Sequence, residues 1–241
     1  MWIIPPGIIG SGMSLKPFKN RVAKILFLRR QASSYAWAWQ VQNRKALIDP
    51  LPLWVVLGDS LSQGVGASAY DHGWVGQASR LFGAEGKPYR IINLSVSGAR
   101  VEDVLQSQIP ALQALRQAPD LVTVLVGSND LRHPSTRKNL LVNIEQLMQR
   151  LPPGTMVGDI FERPNIPWIL RPFLEHKQAS SLLKDLAAKY NLIVVPIGEA
   201  FRLPWRGKLA ADFYHPNDYG YKLIADVFVK RILTKKRVAK K

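Results

Sequence analysis

The amino-acid sequence predicts an α/β protein in which a parallel β-sheet is covered by helices on both faces, a three-layer α/β/α arrangement. Short apolar runs rich in β-branched residues alternate with longer segments of helical periodicity, which is typical of βαβ units. The first run, 53–57, is apolar at every position, as expected for a strand buried on both faces. With 47% hydrophobic residues, the 241-residue chain can also bury a substantial core.

The predicted elements follow one another in a regular order. Apolar runs predicted as strands lie at 53–57, 89–94, 121–126, 156–161 and 192–197. Helical patterns lie near 74–84, 101–117, 137–150, 173–190 and 217–234. About five parallel strands are therefore expected. Binding sites in such sheets form beyond the carboxyl ends of the strands, so the polar clusters that follow the first three strands and the fifth are the first candidates.

The net charge of +16 belongs mainly to the two ends of the chain. Residues 1–50 carry eight Lys or Arg against one acid, and residues 221–241 also carry eight against one. The middle, 51–220, carries seventeen against fifteen and is nearly neutral, so the chemistry is expected there. No recognised binding motif accompanies the charge, and nucleic acid is therefore not expected to be the main partner.

The first fifty residues are predicted to form a basic, partly amphipathic arm, separate from a domain at 51–234 and a basic tail at 235–241. Apolar residues recur between 18 and 28 with Lys and Arg among them, and an aromatic segment follows. Such a helix can lie on an anionic membrane surface, or it can pack against the domain with its charges in water.

Targeting signals are weak in this chain. The segment 1–13 lacks the basic start and small-residue cleavage site of a standard signal peptide, and no apolar run reaches the roughly 18 residues that span a bilayer. These features favour a cytoplasmic protein, with peripheral contact at the inner membrane face as a further option.

A candidate nucleophile follows the first predicted strand. Gly58, Asp59, Ser60, Leu61 and Ser62 come directly after the apolar run, which places the Ser60 hydroxyl on the turn that leaves a buried strand. A serine hydroxyl is too weak an acid to attack an ester unaided, so it needs a base, an orienting acid and oxyanion donors.

Candidates for those groups follow later strands. The turn after the second strand contains Gly98, whose N–H can face a developing oxyanion, and the third is followed by Asn129, whose side-chain amide is a second donor. Two histidines stand three residues after an aspartate, and the pairs are Asp130 with His133 and Asp212 with His215. At that spacing a carboxylate can accept the imidazole Nδ1–H and leave Nε2 free, but spacing alone does not choose between the pairs.

Four blocks of this sequence resemble those of the GDSL, or SGNH, hydrolases. The blocks are Gly58 to Ser62, Gly98 after Asn93, Gly127 to Asp130, and Asp212 to Pro216. They occur in family order, and the resemblance covers roughly residues 53–234. It implies a three-layer, flavodoxin-like SGNH hydrolase fold, which agrees with the alternation of strands and helices.

The resemblance also implies a role for each matched residue. Ser60 would be the nucleophile, His215 the general base and Asp212 the residue that orients the base. The Ser60 N–H, the Gly98 N–H and the Asn129 side chain would form the oxyanion hole. The implied activity is hydrolysis of a carboxylic ester through an acyl-enzyme intermediate, with neither metal nor cofactor.

Other interpretations stay open at the level of the sequence. Arg132 and His133, just past the third strand, can contact the substrate, which is expected to be a small-molecule or lipid ester. The main alternative to an esterase is a non-catalytic basic protein that binds anionic membrane or nucleic acid through its charged termini. Neither the particular ester nor the oligomeric state follows from the sequence.

Overall fold

A parallel β-sheet forms the centre of the computed structural model, which describes residues 16–132, 138–160, 173–201 and 207–238. The five strands of the sheet are β1 Leu53–Gly58, β2 Arg90–Asn93, β3 Leu121–Leu125, β4 Met156–Gly158 and β5 Ile193–Val195. Their order is β2-β1-β3-β4-β5, and each neighbouring pair is parallel. This is the order of flavodoxin-like folds, and the predicted fold class is confirmed.

Helices connect the strands and cover the sheet. They are α1 Lys16–Ala46, α2 Ser60–Gln63, α3 Trp74–Ala84, α4 Val101–Asp103, α5 Ile109–Gln113, α6 Leu140–Arg150, α7 Phe173–Lys189, α8 Ile197–Ala200 and α9 Asp218–Val238. A π-helical turn, Val104–Gln108, joins α4 to α5, and short 3-10 turns cover Tyr70–His72 and Asp130–Arg132.

The central strand β1 divides the apolar interior into two layers. Leu53, Val55 and Leu57 pack on one face of the sheet in a cluster that includes buried residues of α6 and α7. Trp54 and Val56 point to the other face, where the cluster includes residues of α3 and α9. Successive side chains of a strand alternate between faces, so an uninterrupted apolar run supplies both layers.

A proline lies at each of two places where the observed elements differ from the predicted ones. The run 192–197 was expected to be one strand, but β5 ends at Val195 and α8 begins at Ile197. Pro196, which lies between them, has no N–H to donate to a sheet ladder. Similarly, the helical pattern 101–117 contains a π-helical turn directly before α5, whose first turn includes Pro110, and the helix ends at Gln113.

Part of helix α1 packs closely on the sheet and its neighbouring loops. Leu28, Trp39 and Ala46 are buried. The side-chain amide of Asn43 donates to the backbone oxygen of Asn93 at 2.9 Å and accepts the Asn93 N–H at 2.8 Å. Because β2 is an edge strand, these bonds satisfy backbone groups that would otherwise have no strand partner.

Further side chains of α1, among them Tyr35 and Trp39, reach the segment that follows β1. Tyr35 donates its hydroxyl to the Ala67 oxygen at 2.9 Å, and the Trp39 indole N–H donates to the Gln63 oxygen at 3.1 Å.

Within the part of the chain that the structure describes, no helix is long and apolar enough to cross a membrane.

Candidate active site

The candidate site lies where the strand order changes direction. From β1 the chain continues to β2 on one side, whereas β3 pairs with β1 on the other. The carboxyl ends of β1 and β3 therefore lie at the switch point of the sheet, which is the usual position of sites in open parallel sheets. Ser60 follows β1 and Asn129 follows β3, so both predicted residues are on segments that leave the sheet at this switch point.

The turn after β1 is shaped by its own residues. Gly58 has φ +145°, and a Cβ there would lie 2.4 Å from the Leu125 backbone oxygen, so any side chain would clash with β3. Asp59 caps α2, and its Oδ1 accepts the Leu61 N–H at 2.9 Å. Ser60 thus begins the helix, in the first turn, where backbone N–H groups have no acceptor within the helix.

His215 connects Ser60 to Asp212. Its Nε2 lies 3.0 Å from the Ser60 Oγ, and its Nδ1 lies 2.6 Å from Oδ2 of Asp212. The other carboxylate oxygen of Asp212, Oδ1, accepts the backbone N–H groups of Tyr214 and His215 at 2.9 and 3.0 Å. The chain therefore folds a serine, a histidine and an aspartate into one hydrogen-bonded row, although Ser60 and His215 are far apart in sequence.

The electrostatics of Asp212 set the protonation of this row. Burial opposes ionisation of the carboxyl, but hydrogen bonds from the His215 side chain and from two backbone N–H groups outweigh it, so the pKa of Asp212 is lowered. An ionised Asp212 can only accept hydrogen bonds, so the Nδ1 of His215 carries the proton. In the neutral imidazole, Nε2 is then free to accept the Ser60 hydroxyl proton.

The second Asp/His pair has a different environment. Asp130 is buried, and its carboxylate oxygens accept the Val101 N–H at 3.2 and 3.4 Å. Burial raises the pKa of Asp130 to about 6 against the opposing effect of its hydrogen bonds. His133 and the side chain of Arg132 lie outside the described residues, so both predicted substrate contacts stay predictions.

The predicted oxyanion donors lie on three different loops. Gly98, after β2, has φ +86°, and no atom lies within 4 Å of the position that its Cβ would take. The Nδ2 of Asn129 donates to the Ala99 oxygen at 2.9 Å and to Oδ2 of Asp59 at 3.2 Å. Asn129 therefore bonds to the residue after Gly98 and to the residue before Ser60, which ties the three loops together.

Two residues of the site were not singled out from the sequence. Besides the Leu61 N–H, Asp59 accepts the Ser128 hydroxyl at 3.3 Å and the Asn129 amide, so it links the turns after β1 and β3. Tyr214 donates its hydroxyl to Oδ1 of Asn129 at 3.3 Å. The only sequence signal for either was its position beside a candidate, directly before Ser60 or between Asp212 and His215.

The acidic side chains of the site have donors from the protein itself. Asp59, Asp130 and Asp212 each accept at least one backbone N–H. Among the residues that the structure describes, no group of three or more His, Asp or Glu side chains is arranged to hold a metal ion.

Comparison with known proteins matches residues 56–223 to the GDSL-like lipase/acylhydrolase family. The chain belongs to this family. The matched region contains all four sequence blocks and the strands β2 to β5, and the resemblance to SGNH hydrolases is confirmed. The description of the family names lipases and acylhydrolases, which are ester-cleaving enzymes.

One curated relative shares part of its sequence with this GDSL-family chain. Esterase TesA of Pseudomonas aeruginosa strain PAO1 is 32% identical over 96 residues, which are 40% of this chain and 46% of TesA. The match thus spans less than half the length of that relative.

Solved structures of GDSL-type proteins share the fold. A crystal structure of TesA is 26% identical, with a TM-score of 0.58 over 73% of this chain and 94% of that one. The lipase/acylhydrolase from Enterococcus faecalis is 24% identical, with a TM-score of 0.60 over 77% and 97% of the two chains. A variant of Axe2, an acetyl xylan esterase from Geobacillus stearothermophilus, is 19% identical, with a TM-score of 0.58 over 75% and 94%.

Proposed function

We propose that this protein is a serine esterase that cleaves carboxylic esters through Ser60, His215 and Asp212. The observation that carries the proposal is the position of His215, with Nε2 3.0 Å from the Ser60 Oγ and Nδ1 2.6 Å from Asp212. A nucleophile within hydrogen-bond reach of a base, itself oriented by a third group, is the arrangement that activates a serine.

The reaction would proceed in two stages. Ser60 Oγ attacks the ester carbonyl carbon while its proton moves to Nε2 of His215, and Asp212 stabilises the imidazolium. His215 then gives that proton to the leaving alkoxide, the carbon–oxygen bond breaks, and the acyl group stays on Ser60. In the second stage His215 takes a proton from water, the hydroxide attacks the acyl carbon, and Ser60 leaves with the proton returned to it.

Three donors would stabilise the tetrahedral oxyanion: the Ser60 N–H, the Gly98 N–H and Nδ2 of Asn129. Both Nδ2 hydrogens of Asn129 have acceptors in the free protein. The bond to Asp59, at 3.2 Å, is the longer of the two, and its hydrogen is the one that the oxyanion would share. Loss of one such donor lowers turnover about 10²- to 10³-fold in serine hydrolases, so Asn129→Ala is expected to fall in that range.

The proposed substrate is a small-molecule or lipid ester. The relatives include proteins named as lipases and an acetyl xylan esterase, so the fold is compatible with more than one acyl and alcohol group. Arg132 and His133 follow β3 and would contact a polar part of the substrate. A panel of esters that varies acyl length and leaving alcohol separately would define the preference.

The chain offers matched controls for testing the nucleophile and the base. Ser62 stands two residues from Ser60 in the same block, and His72 is a half-exposed histidine in a different hydrogen-bond cluster. With a p-nitrophenyl ester of a short acid, Ser60→Ala and His215→Ala are expected to lose several orders of magnitude in kcat. Ser62→Ala and His72→Ala are expected to keep most of it.

A fluorophosphonate probe provides a second measurement, because it labels an activated serine whatever the natural ester is. We expect labelling of the wild type and of Ser62→Ala, but not of Ser60→Ala. Full turnover by Ser60→Ala or His215→Ala would exclude the proposed triad. If His133→Ala abolished turnover instead, the pair of Asp130 and His133 would be the functional one.

We also propose that helix α1 brings a cytoplasmic enzyme into peripheral contact with an anionic membrane. The helix contains eight Lys or Arg and neither Asp nor Glu, and six of the eight precede Gln31. Its later part is held to the domain by Tyr35, Trp39 and Asn43, while Trp37 is 68% exposed. A basic helix with an exposed tryptophan suits an interface of anionic lipids.

Vesicle co-sedimentation of the full chain tests the membrane contact. Binding is expected to vesicles that contain phosphatidylglycerol and to be much weaker with phosphatidylcholine alone. Replacing Lys16, Lys19, Arg21 and Lys24 with Gln should remove most of the binding, at about 1 kcal/mol for each charge near the surface. Trp37→Ala, which keeps all four charges, should bind the vesicles less than the wild type but more than the four-charge variant. Equal binding by all variants would contradict the role of α1.

A further inference from the structure

Tyr214 lies between the Asp212–His215 pair and the candidate oxyanion donor Asn129. Its backbone N–H donates to Oδ1 of Asp212 at 2.9 Å, and its ring meets the His215 ring edge-on, with centroids 4.9 Å apart. Its hydroxyl donates to Oδ1 of Asn129 at 3.3 Å. A single residue therefore contacts the carboxylate, the imidazole and the amide that the proposed mechanism uses.

The amide of Asn129 needs a fixed orientation to act as an oxyanion donor. The oxygen and nitrogen of an Asn side chain are nearly identical in size, so rotation by 180° would exchange a donor for an acceptor with little steric cost. In an acceptor orientation, Oδ1 would face the oxyanion and repel it. The groups that fix the orientation of the Asn129 amide therefore affect the stabilisation of the oxyanion.

The neighbours of Asn129 distinguish its two ends. The Ala99 backbone oxygen can only accept a hydrogen bond, and Oδ2 of Asp59 likewise accepts from Nδ2. Tyr214 contributes the hydroxyl donor that Oδ1 requires. In the flipped amide, Oδ1 would face two acceptors and Nδ2 would lose both of them, so the hydroxyl and the acceptors favour the same orientation.

We infer that Tyr214 is a positioning residue, whose hydroxyl holds the Asn129 amide with Nδ2 toward the oxyanion. The inference rests on the proposed esterase function, because it assigns Tyr214 to the same Ser60 site. The inferred effect is that of the hydroxyl: the contacts of Tyr214 with Asp212 and His215 use its backbone and ring, and Tyr214→Phe retains both.

A double-mutant cycle separates this role from general support of the fold. Tyr214→Phe is expected to lower kcat about tenfold on a short p-nitrophenyl ester while KM changes less than twofold. The reason is that the hydrogen bond that orients the Asn129 amide is lost. In an Asn129→Ala background the same change should have no further effect on kcat. A purely structural role would lower kcat by the same factor in both backgrounds.

Controls keep the outcomes distinct. Tyr219→Phe removes a hydroxyl from an exposed tyrosine outside the site and should leave kcat unchanged. When Ser60 attacks a fluorophosphonate, negative charge also develops on an oxygen of the probe. The rate of labelling should therefore fall in parallel with kcat in Tyr214→Phe. Unchanged kcat in Tyr214→Phe, or multiplied effects in the double variant, would overturn the role of Tyr214. An active Ser60→Ala would instead refute the proposed function.

Discussion

Two segments of this chain, 130–133 and 212–215, begin with an aspartate three residues before a histidine, yet the fold treats their aspartates in opposite ways. Asp130 is buried after β3, and burial raises its pKa to about 6. Asp212 lies beside His215; burial opposes its ionisation, but hydrogen bonds outweigh that and lower its pKa. The same spacing thus yields one carboxyl that resists ionisation and one that is held ionised.

The difference comes from the groups that surround each carboxyl. Asp212 accepts from an imidazole and from the backbone N–H groups of Tyr214 and His215, all within its own turn. That turn is closed by a hydrogen bond from the Ala210 N–H to the His215 oxygen. The charge of each aspartate is therefore decided by its burial and its local donors, and not by its spacing to a histidine.

The largest expected difference is between Asp212→Asn and Asp130→Asn. Asp212→Asn would favour the wrong tautomer of His215 and is expected to reduce kcat/KM about 10⁴-fold on a p-nitrophenyl ester. Asp130→Asn retains an acceptor for the Val101 N–H and should cost less than tenfold. A greater loss in Asp130→Asn than in Asp212→Asn would reverse the roles of the two segments.

A smaller loss is expected when the loop that supports His215 is disturbed. Gly66 has φ +100°, and a Cβ there would lie 2.5 Å from the Pro216 oxygen and 2.7 Å from the His215 Cβ. Gly66→Ala must therefore displace His215, and a shift of about 1 Å costs roughly 10²-fold in turnover. Gly83→Ala is the matched control, because its Cβ would have open space; similar kcat values for the two variants would show that Gly66 does not position His215.

Opposite dependences of stability on pH are a third consequence. The folded pKa of Asp130 lies above the ordinary value of 3.8, so its contribution to stability is fully present below about pH 4 and is lost as pH rises through about 6. A difference of about two pKa units corresponds to about 3 kcal/mol. The contribution of Asp212 has the opposite sign and is lost as pH falls below about 4.

Urea unfolding between pH 4 and 7 measures the Asp130 effect. The unfolding free energy of the wild type, minus that of Asp130→Asn, is expected to fall across this range. Asp130→Asn should therefore gain relative stability toward neutral pH. A difference that stayed constant with pH would mean that Asp130 ionises at the same pH in the folded and unfolded chains.

The smallest effect concerns the backbone of the second segment. Phe213 has φ +56° and a side chain that is 58% exposed, so a large residue occupies the left-handed region. Phe213→Gly is expected to raise the unfolding free energy by up to about 1 kcal/mol, because glycine adopts a positive φ without steric cost. The gain is limited because glycine also increases the conformational entropy of the unfolded chain. Asn191→Gly, at φ +53°, should gain less, since Asn tolerates this region; an equal gain would argue against strain at Phe213.

Much of the fold could be predicted from local patterns. The run 53–57 was identified as a doubly buried strand, and β1 lies at 53–58 with neighbours on both sides. The element ends were harder to predict: Pro196 ends β5, and α9 continues to Val238 instead of ending near 234. The exact end of a strand or helix depends on a few hydrogen bonds, which a single proline can remove. A buried strand is easier to predict, because every residue of its apolar run contributes to the pattern.

The sequence by itself determined the fold class, the family and the candidate residues, because periodicity and short blocks are properties of neighbouring residues. Only the tertiary structure brought His215, rather than another histidine among the described residues, to within 3.0 Å of Ser60 across 155 positions of the chain. It also decided the charge of each aspartate and joined Tyr214 to Asn129. Contacts between distant segments arise when the sheet order brings loops together, and no spacing along the chain records them.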